Sequence, residues 1–331
     1  MADGKSLVLG FDVGGTKILA GVIDEKWQVR GRGKVKSPFR GGPAEMTEAL
    51  IAAADIALVE AGAARKDVTA LGLGLPGPLD EERTTLLRAM NLGVERWEVP
   101  PALEPAFPGI PKRLENDVRV AALAEARLGA AKGARLAVAI WIGTGIGGAV
   151  LLDGKLWLGR NFNAGEIGQC FVDLKKAGDG TMDGTLEGIG AKTGMAAFMR
   201  RRIEKGERTS MARSVLEKDG RLKGSDLRKA LAAGDALVEQ AVARSARAVG
   251  ITIATFWNVF SPDLFVLGGG VAEDIGEGYV EQVRVAASRY AFFTDIADVK
   301  IVRSALGDDA GILGAAILAR EGHDLRKRGG N

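Results

Sequence analysis

Two short glycine-rich segments carry residue types that bind phosphate. The first, Asp12-Val13-Gly14-Gly15-Thr16-Lys17, places an acid after an apolar stretch and two glycines directly behind it. Glycines let backbone N–H groups turn toward an anion, and a neighbouring carboxylate can hold Mg²⁺ through its water shell. The segment therefore predicts a phosphate site, with Asp12 toward the metal and Gly14, Gly15, Thr16 and Lys17 around the phosphates. An ordinary hairpin with glycines at positive φ is the alternative.

The second segment, Gly143-Thr144-Gly145-Ile146-Gly147-Gly148, also fits the G-x-G-x-x-G pattern of dinucleotide-binding folds. Those folds need a helix that begins within the glycines, whereas residues 149–153 read as another apolar strand. We therefore interpret this segment as a second hairpin tip and not as an NAD site. A Walker-type loop is not indicated either, because Gly4-Lys5-Ser6 precedes the first strand instead of following one.

The two tips belong to repeated units. An offset of 129 residues places Leu7 over Leu136 and Gly14 over Gly143. Each copy predicts an apolar strand, a glycine turn and a second apolar strand that ends at an aspartate: residues 7–11 and 18–24, then 136–142 and 149–153. Two unrelated hairpins are the alternative.

Strand and helix patterns alternate around these hairpins, which predicts the α/β class. Further strands are predicted over residues 68–75, 112–115, 264–267 and 299–302, and helices over 43–62, 117–128, 191–204, 225–233, 235–260, 278–290 and 309–320. The strand over 264–267 runs into Gly268-Gly269-Gly270, which predicts a turn, and residues 159–190 read as rich in loops.

The composition is that of a soluble protein of about two domains. The chain has 331 residues, of which 47% are hydrophobic and 26% charged. A balance of 45 basic against 42 acidic residues gives no reason to expect a nucleic-acid or membrane partner. The longest uncharged run, residues 136–152, is too short for a membrane span, and no signal-peptide pattern is visible. We expect a cytoplasmic protein.

The cysteine and histidine content narrows the possible chemistry. Cys170 is the single cysteine and His323 the single histidine, so neither an internal disulfide nor a Cys/His zinc site is expected. A general base would then be a carboxylate, or a lysine or tyrosine.

Acidic and amide side chains stand at a strand–helix junction and in loops. In Glu115-Asn116-Asp117 a predicted strand meets a helix, where Asp117 could accept a hydroxyl proton beside the helix N-terminus. An N-cap is the alternative role, since Asn and Asp are both favoured there. Asn91, Glu166 and Glu187 lie in glycine-rich loops, and each taken alone reads as a solvated loop residue.

Taken together, these segments resemble the repressor, open reading frame and kinase (ROK) family of sugar kinases, within the actin-like ATPase superfamily. The two glycine tips are similar to its two phosphate motifs, residues 266–271 to its adenosine motif, and residues 306–311 to the start of its last helix. The resemblance implies two actin-like (ribonuclease H-like) α/β domains with an ATP and sugar cleft between them. It also implies a homodimer. We place the domains at residues 1–116 plus 305–331 and at residues 117–304.

The resemblance also assigns roles to individual residues. It implies that Asp117 is the catalytic base and that Gly77, Asn91, Asn116, Asp117, Glu166, Gln169 and Glu187 bind the sugar. Mg-ATP would lie against Asp12 and the first tip, against Gly143, Thr144 and Gly145 of the second tip, and against Gly268, Gly269 and Gly270. The implied activity is transfer of the γ-phosphate of ATP to the 6-hydroxyl of a hexose, with glucose as the leading substrate and a place in carbohydrate metabolism.

Two departures from the family pattern concern zinc and the sugar. Gln169 stands where relatives carry a histidine that binds sugar and zinc, and residues 177–184 contain none of the family's zinc-binding cysteines. We therefore expect no zinc, and three possibilities stay open for the loop over 170–184: order through the dimer, order through the sugar, or neither. Mannose, fructose, allose and N-acetylhexosamines remain possible substrates, and polyphosphate a possible donor.

Two other kinds of protein remain as alternatives to an active kinase. The family also contains sugar-responsive repressors, but those carry a helix-turn-helix before the first phosphate motif, and only eleven residues precede Asp12 here. A catalytically weak sugar-binding protein is the other alternative.

Overall fold

The computed structural model describes residues 6–38, 40–176, 182–216, 222–292 and 299–322. Its strands are β1 (Leu7–Val13), β2 (Lys17–Ile23), β3 (Val29–Lys36), β4 (Val68–Leu75), β5 (Thr85–Leu86), β6 (Trp97–Glu98), β7 (Lys112–Asn116), β8 (Leu136–Ile142), β9 (Ile146–Leu152), β10 (Lys155–Leu156), β11 (Leu264–Gly268) and β12 (Ile301–Arg303). Its helices are α1 (Gly42–Ala61), α2 (Val99–Leu103), α3 (Asp117–Leu128), α4 (Leu186–Gly190), α5 (Lys192–Ile203), α6 (Ala212–Leu216), α7 (Gly224–Ala232), α8 (Ala236–Phe260), α9 (Gly269–Ile275), α10 (Glu277–Ser288) and α11 (Ala310–Glu321). The predicted α/β class is confirmed.

The described residues fall into two compact units. The first takes its residues from Met1–Leu128, Gly159–Asn163 and Asp308–Asn331, and the second from Gly129–Leu158 and Ala164–Gly307. None of the helices in the described part of the chain combines the length and apolar character needed to cross a bilayer.

The first unit is built on a sheet with strand order β3-β2-β1-β4-β7. β1 shows how the sequence alternates between the two faces of this sheet. Leu9 and Phe11 are fully buried in one core with Met46 of α1. Gly10 points the other way, where an added Cβ would lie 2.0 Å from the carbonyl oxygen of Ile312 in α11. Asp12, two residues on, shares that face.

The second unit repeats the same strand order in β10-β9-β8-β11-β12. β8 and β9 begin and end 129 residues after β1 and β2, which agrees with the repeat predicted from the sequence. The pairing differs by one residue: Val13 pairs with Ile18 in the first hairpin, and Ile142 pairs with Ile146 in the second. The second tip is therefore one residue tighter.

The contacts divide the chain at other places than those predicted. A boundary after Asn116 would put α3 in the second domain, whereas α3 belongs to the first unit. It packs so closely on α11 that a Cβ on Gly314 would lie 1.7 Å from the carbonyl oxygen of Val120. Residues Gly159–Asn163 also join the first unit, which the sequence did not indicate.

β3 and α9 are among the elements that differ from the predicted pattern. β3 was not predicted, because its exposed positions are charged and its buried positions include Gly31 and Gly33. Glycines allow α1 to lie directly on this strand: a Cβ on Gly33 would lie 1.9 Å from the carbonyl oxygen of Ala53. The turn predicted over Gly268–Gly270 is instead the end of β11 and the first turn of α9. This helix was not predicted because it begins with two glycines, which have a low helix propensity.

Candidate active site

In the first unit, the carboxyl ends of three parallel strands lie side by side. β4 pairs with β1 and with β7, and this pairing places Asp12, Gly74 and Glu115 in one row. Ligands of parallel sheets bind beyond this edge, because the loops that follow the strands gather there. Asp117, the first residue of α3, stands two residues after Glu115.

Gly74 lets α3 approach the sheet. A Cβ on this residue would lie 2.6 Å from Cγ2 of Val120 and 3.3 Å from Cα of Asp117. The same Cβ would lie 3.5 Å from the carbonyl oxygen of Phe11, the residue before Asp12. The absent side chain thus brings the start of α3 close to the end of β1.

Asn116 caps α3. Its Oδ1 accepts hydrogen bonds from the N–H groups of Val118, at 3.1 Å, and Arg119, at 3.3 Å. Satisfying these N–H groups is the usual work of an N-cap side chain. Oδ1 of Asp117 also accepts a hydrogen bond from the Val118 N–H, at 2.9 Å. The N-cap role that the sequence left open for Asn116 and Asp117 is therefore taken by Asn116. These hydrogen bonds fix the position of the residue directly before Asp117.

Burial changes the acidity of both aspartates at this edge. Burial, and to a smaller extent the charge of Asp12, raise the pKa of Asp117 to about 7, although hydrogen bonds from Val118 and Asn116 act to lower it. Burial also raises the pKa of Asp12 to about 6, where Lys17 opposes the shift and Asp308 adds to it. A carboxylate with a pKa near neutrality can both take and release a proton, as a general base must.

The first glycine tip keeps backbone donors open. The N–H of Gly14 donates to the carbonyl oxygen of Lys17 at 2.9 Å, and the hydroxyl of Ser37 donates to the carbonyl oxygen of Gly14 at 2.6 Å. No described residue accepts a hydrogen bond from the N–H groups of Gly15 and Thr16. These two donors can therefore serve an anion.

A buried ion cluster lies beneath Asn116 and Asp117. Oε1 of Glu115 accepts hydrogen bonds from the N–H of Asn116 at 2.8 Å and from Arg83 at 2.9 Å. Arg119 reaches the same oxygen at 3.4 Å, and both guanidinium groups donate to the carbonyl oxygen of Phe162, at 2.8 and 2.7 Å. The cluster anchors the end of β7, the strand that leads directly into Asp117. The sequence pattern gave no sign of Arg83 or Arg119, because charged residues usually lie at the surface.

Two further predicted sugar residues follow β4. Gly77 has a φ of 140°, and a Cβ there would lie 2.2 Å from the carbonyl oxygen of Arg88, so the turn requires glycine. Asn91 lies in a single 3₁₀ turn, Met90–Leu92, which ends at Gly93. These positions lie in the long segment between β4 and β7, in the first unit.

The second glycine tip has the same kind of open donors. The N–H of Gly143 donates to the carbonyl oxygen of Gly145 at 2.9 Å, and no described residue accepts a hydrogen bond from the N–H groups of Thr144 and Gly145. The start of α5 holds this tip in place. The N–H of Lys192 donates to the carbonyl oxygen of Gly143, and the Thr193 hydroxyl to that of Thr144, both at 3.0 Å.

The predicted sugar acids of the second unit gather around the start of β9. Oε2 of Glu187 accepts a hydrogen bond from the N–H of Ile146 at 2.7 Å, so this carboxylate also braces the glycine tip. Glu166 precedes and Gln169 ends a 3₁₀ turn that packs on Ile146, since a Cβ on Gly168 would lie 2.0 Å from the carbonyl oxygen of Ile146. Both side chains are exposed.

The glycines of the predicted adenosine motif pack on β8. A Cβ on Gly268 would lie 2.4 Å from the indole of Trp141, and one on Gly269 would lie 2.8 Å from the carbonyl oxygen of Ile142. Because Ile142 leads directly into the second tip, β8 brings the two glycine segments together.

Within the first unit, the structure thus joins Asp12, the first tip, Asn116 and Asp117. Within the second, it joins the second tip, Glu166, Gln169, Glu187 and the glycines at 268–270. The described residues hold no group of three or more His, Cys, Asp or Glu side chains arranged for a metal ion, and residues 177–181 of the predicted zinc-free loop lie outside them.

Known proteins are similar to this chain over nearly its whole length. The sequence model of the ROK family matches residues 8–322. A glucokinase of Streptomyces coelicolor is 30% identical over 332 residues, which cover 95% of this chain and 98% of the relative.

Two solved structures share the fold over nearly their whole length. A ROK hexokinase from Thermus thermophilus has a TM-score of 0.75 and 36% identity, and covers 95% of this chain and 98% of its own. A ROK glucokinase from Streptomyces griseus, solved in complex with glucose and AMPPNP, has a TM-score of 0.80 and 30% identity, with coverage of 96% and 100%. The predicted actin-like fold is confirmed, and the chain belongs to the ROK family.

Proposed function

We propose that this protein is an ATP-dependent hexose kinase of the glucokinase type, with Asp117 as its general base. The observation that carries the proposal is the position of Asp117 at the carboxyl edge of a parallel sheet, close to the end of β1 and the glycine tip with open N–H donors that follows it. Burial, which raises the pKa of this carboxyl to about 7, supports the same role. Membership of the ROK family, whose glucokinases and hexokinases align over nearly the whole chain, supports the substrate class.

In the proposed reaction, Asp117 accepts the proton of the sugar 6-hydroxyl as this oxygen attacks the γ-phosphorus in line. A bond forms between the sugar oxygen and phosphorus, the bond to the oxygen that bridges the β- and γ-phosphates breaks, and ADP leaves. Phosphoryl transfer depends mainly on positioning and charge stabilisation. Here the cap at Asn116 and the Glu115 cluster position Asp117, and the glycine tips offer backbone donors to the phosphates.

Asp12 fits a role toward Mg²⁺. Its carboxylate lies on the α11 face of the sheet, where Gly311 leaves it room: a Cβ on Gly311 would lie 2.6 Å from Cγ of Asp12. A carboxylate whose pKa is raised by burial gains most from a nearby cation, and an oxygen donor suits a hydrated Mg²⁺. When bound, the ion would neutralise charge on the transferred phosphoryl group. We propose that Asp12 holds it through water.

The sugar is proposed to contact Gly77, Asn91, Asn116, Glu166, Gln169 and Glu187. Carboxylate and amide groups suit a polyol, because each sugar hydroxyl both donates and accepts hydrogen bonds. Oδ1 of Asn116 is occupied by the helix cap, so its amide nitrogen would make the contact. Glucose is the first candidate, since the aligned relatives include glucokinases. A cytoplasmic location and a homodimer stay predictions from the sequence.

A coupled assay of ADP release tests this function. Wild type, Asp117→Asn and the control Asp153→Asn, a matched change at an exposed hairpin turn, are compared with Mg-ATP and a panel of hexoses and N-acetylhexosamines. We expect turnover of at least one sugar, a loss of 10²-fold or more in Asp117→Asn and none in the control. A zinc-selective chelator in excess Mg²⁺ should leave the rate unchanged.

Two results would contradict the proposal. Near-normal turnover in Asp117→Asn would remove this residue as the base. Silence of the wild type across the panel, while sugar still raises the unfolding temperature, would favour a sugar-binding protein without kinase activity.

A further inference from the structure

Lys192, the first residue of α5, lies between the two glycine segments of the second unit. Its backbone N–H holds the carbonyl oxygen of Gly143 at 3.0 Å. Its side chain runs toward the other segment, where an added Cβ on Gly270 would lie 2.8 Å from Nζ and 3.8 Å from Cε. Neither the sequence pattern nor the family resemblance assigned this residue a role.

The ammonium group of Lys192 has no close acidic partner among the described residues. Burial and the charges of neighbouring carboxylates, and no side-chain hydrogen bond, are what act on it there. Asp274 and Glu273 of α9 act on it electrostatically, and burial lowers its pKa. Oδ2 of Asp274 would lie 3.7 Å from the same Cβ on Gly270, so Lys192 and Asp274 both border this glycine.

A half-buried lysine ammonium without a salt-bridge partner is costly, since it has lost part of its water and gained no ion pair. The groups around the ammonium indicate that a bound phosphate would offset this cost. Gly270 offers no side chain, and the tip at Gly143–Gly145 presents two open N–H donors. Backbone N–H donors together with a lysine ammonium are the groups that commonly bind phosphate.

We propose that Lys192 binds the phosphate chain of the nucleotide from the second unit. This inference rests on the proposed function, because it deepens the nucleotide site of the kinase. It adds a charged contact to the second unit's part of this site, which otherwise offers the backbone N–H groups of the glycine tip. It also predicts that part of the affinity for ATP and ADP depends on salt.

The test compares binding of ATP, ADP and adenosine by calorimetry in wild type, Lys192→Ala, Lys192→Arg and Lys205→Ala. Lys205 is an exposed lysine just beyond α5 and serves as the matched control. We expect Lys192→Ala to lose about tenfold in affinity for ATP and ADP and to keep its affinity for adenosine. Lys192→Arg should recover most of the loss, and added salt should weaken wild type more than Lys192→Ala.

Three outcomes would overturn the inference, and they can be told apart. Wild-type affinity of Lys192→Ala for ADP would show that the ammonium does not contact phosphate. An equal loss for adenosine and ADP would show that Lys192 supports the local structure, through α5 and the Gly143 tip. If wild type itself binds neither ATP nor ADP, the proposed function fails, and the phosphate contact fails with it.

Discussion

At the scale of single residues, the site depends on carboxylates that the fold keeps in an unfavourable environment. Asp117 and Asp12 both have raised pKa values, because burial disfavours their charged forms and the two charges repel each other. Such a pair costs stability at neutral pH and is retained where its chemistry is needed.

The stability of Asp117→Asn should therefore depend on pH in a defined direction. The pKa of Asp117 rises from its ordinary value of 3.8 to about 7 on folding, so the folded state holds a proton that the unfolded chain releases between these values. This contribution favours folding below about pH 4 and is lost as the pH rises through 7. Asparagine cannot ionise, so the variant does not lose this stability as the pH rises.

We expect Asp117→Asn to be more stable than wild type at pH 8, by roughly 1 to 3 kcal/mol once solvent screening is allowed for, and equal to it near pH 4. Urea unfolding at both pH values measures the difference, with Asp153→Asn as control. A variant that is less stable than wild type at pH 8 would show that ionised Asp117 does not destabilise the folded state.

The sequence identified Asp12 through its place at the end of an apolar strand and Asp117 through its place at a strand–helix junction. In the structure Asp12 lies near the end of β1, and Asp117 begins α3 directly after β7. It could not identify Arg83 and Arg119, which are only 4% and 2% exposed. A buried guanidinium depends on a partner far along the chain, here Glu115 and the carbonyl oxygen of Phe162. Local sequence patterns do not show which distant residue will be the partner of a buried arginine.

At the scale of elements, glycine decides how closely the helices lie on the sheet of the first unit. A Cβ on Gly72 of β4 would lie 1.8 Å from the carbonyl oxygen of Ala315 in α11, and one on Gly10 of β1 would lie 2.0 Å from that of Ile312. Backbone atoms of a packed helix cannot move aside as a flexible side chain can. The sequence showed many glycines beside apolar runs, and the structure shows that several of them serve packing as well as ligand approach.

Gly72→Ala should destabilise the protein by about 2 to 4 kcal/mol, because α11 must shift away from β4 and lose packing along its buried face. Gly278→Ala is the matched control: nothing lies within 4 Å of its added Cβ, and its position within α10 favours alanine over glycine. Urea unfolding of both variants measures the contrast. A Gly72→Ala protein as stable as wild type would mean that α11 does not lie on the sheet at this distance.

Strongly apolar or long elements were the ones the sequence predicted well. The repeat at an offset of 129 anticipated β8 and β9 from β1 and β2, and α3 and β4 have the predicted bounds. β3 and α9 were missed because glycine and alternating charge hide a strand in one case and a helix in the other. Tertiary packing, not local preference, forms these two elements.

At the scale of the whole molecule, the same strand order occurs in both units, and each unit holds one glycine tip between its first two strands. The family and the enzyme class predicted from the motifs are confirmed by relatives that align over nearly the full chain. The sugar residues could be nominated only through that resemblance, because a loop carboxylate such as Glu166 has no pattern of its own.

Ligand binding should stabilise the whole chain if these residues form functional sites. A ligand that binds only the folded state at 100 times its dissociation constant adds about 2.7 kcal/mol, which raises the unfolding temperature by a few degrees. We expect such a shift with the preferred hexose and a separate one with a non-hydrolysable ATP analogue and Mg²⁺. Asp117→Asn should keep the nucleotide shift, because Asp117 acts on the proton of the sugar and not on the nucleotide.

Glu187→Gln separates the two ligands further. Its carboxylate accepts the N–H of Ile146 and also stands among the proposed sugar contacts, so the neutral amide should weaken the hexose shift most. Scanning calorimetry over the sugar panel measures each shift, with Glu98→Gln, an exposed acid of β6, as control. If the nucleotide shift falls as much as the hexose shift, Glu187 acts mainly as a brace for the second glycine tip, and its place among the sugar contacts is wrong.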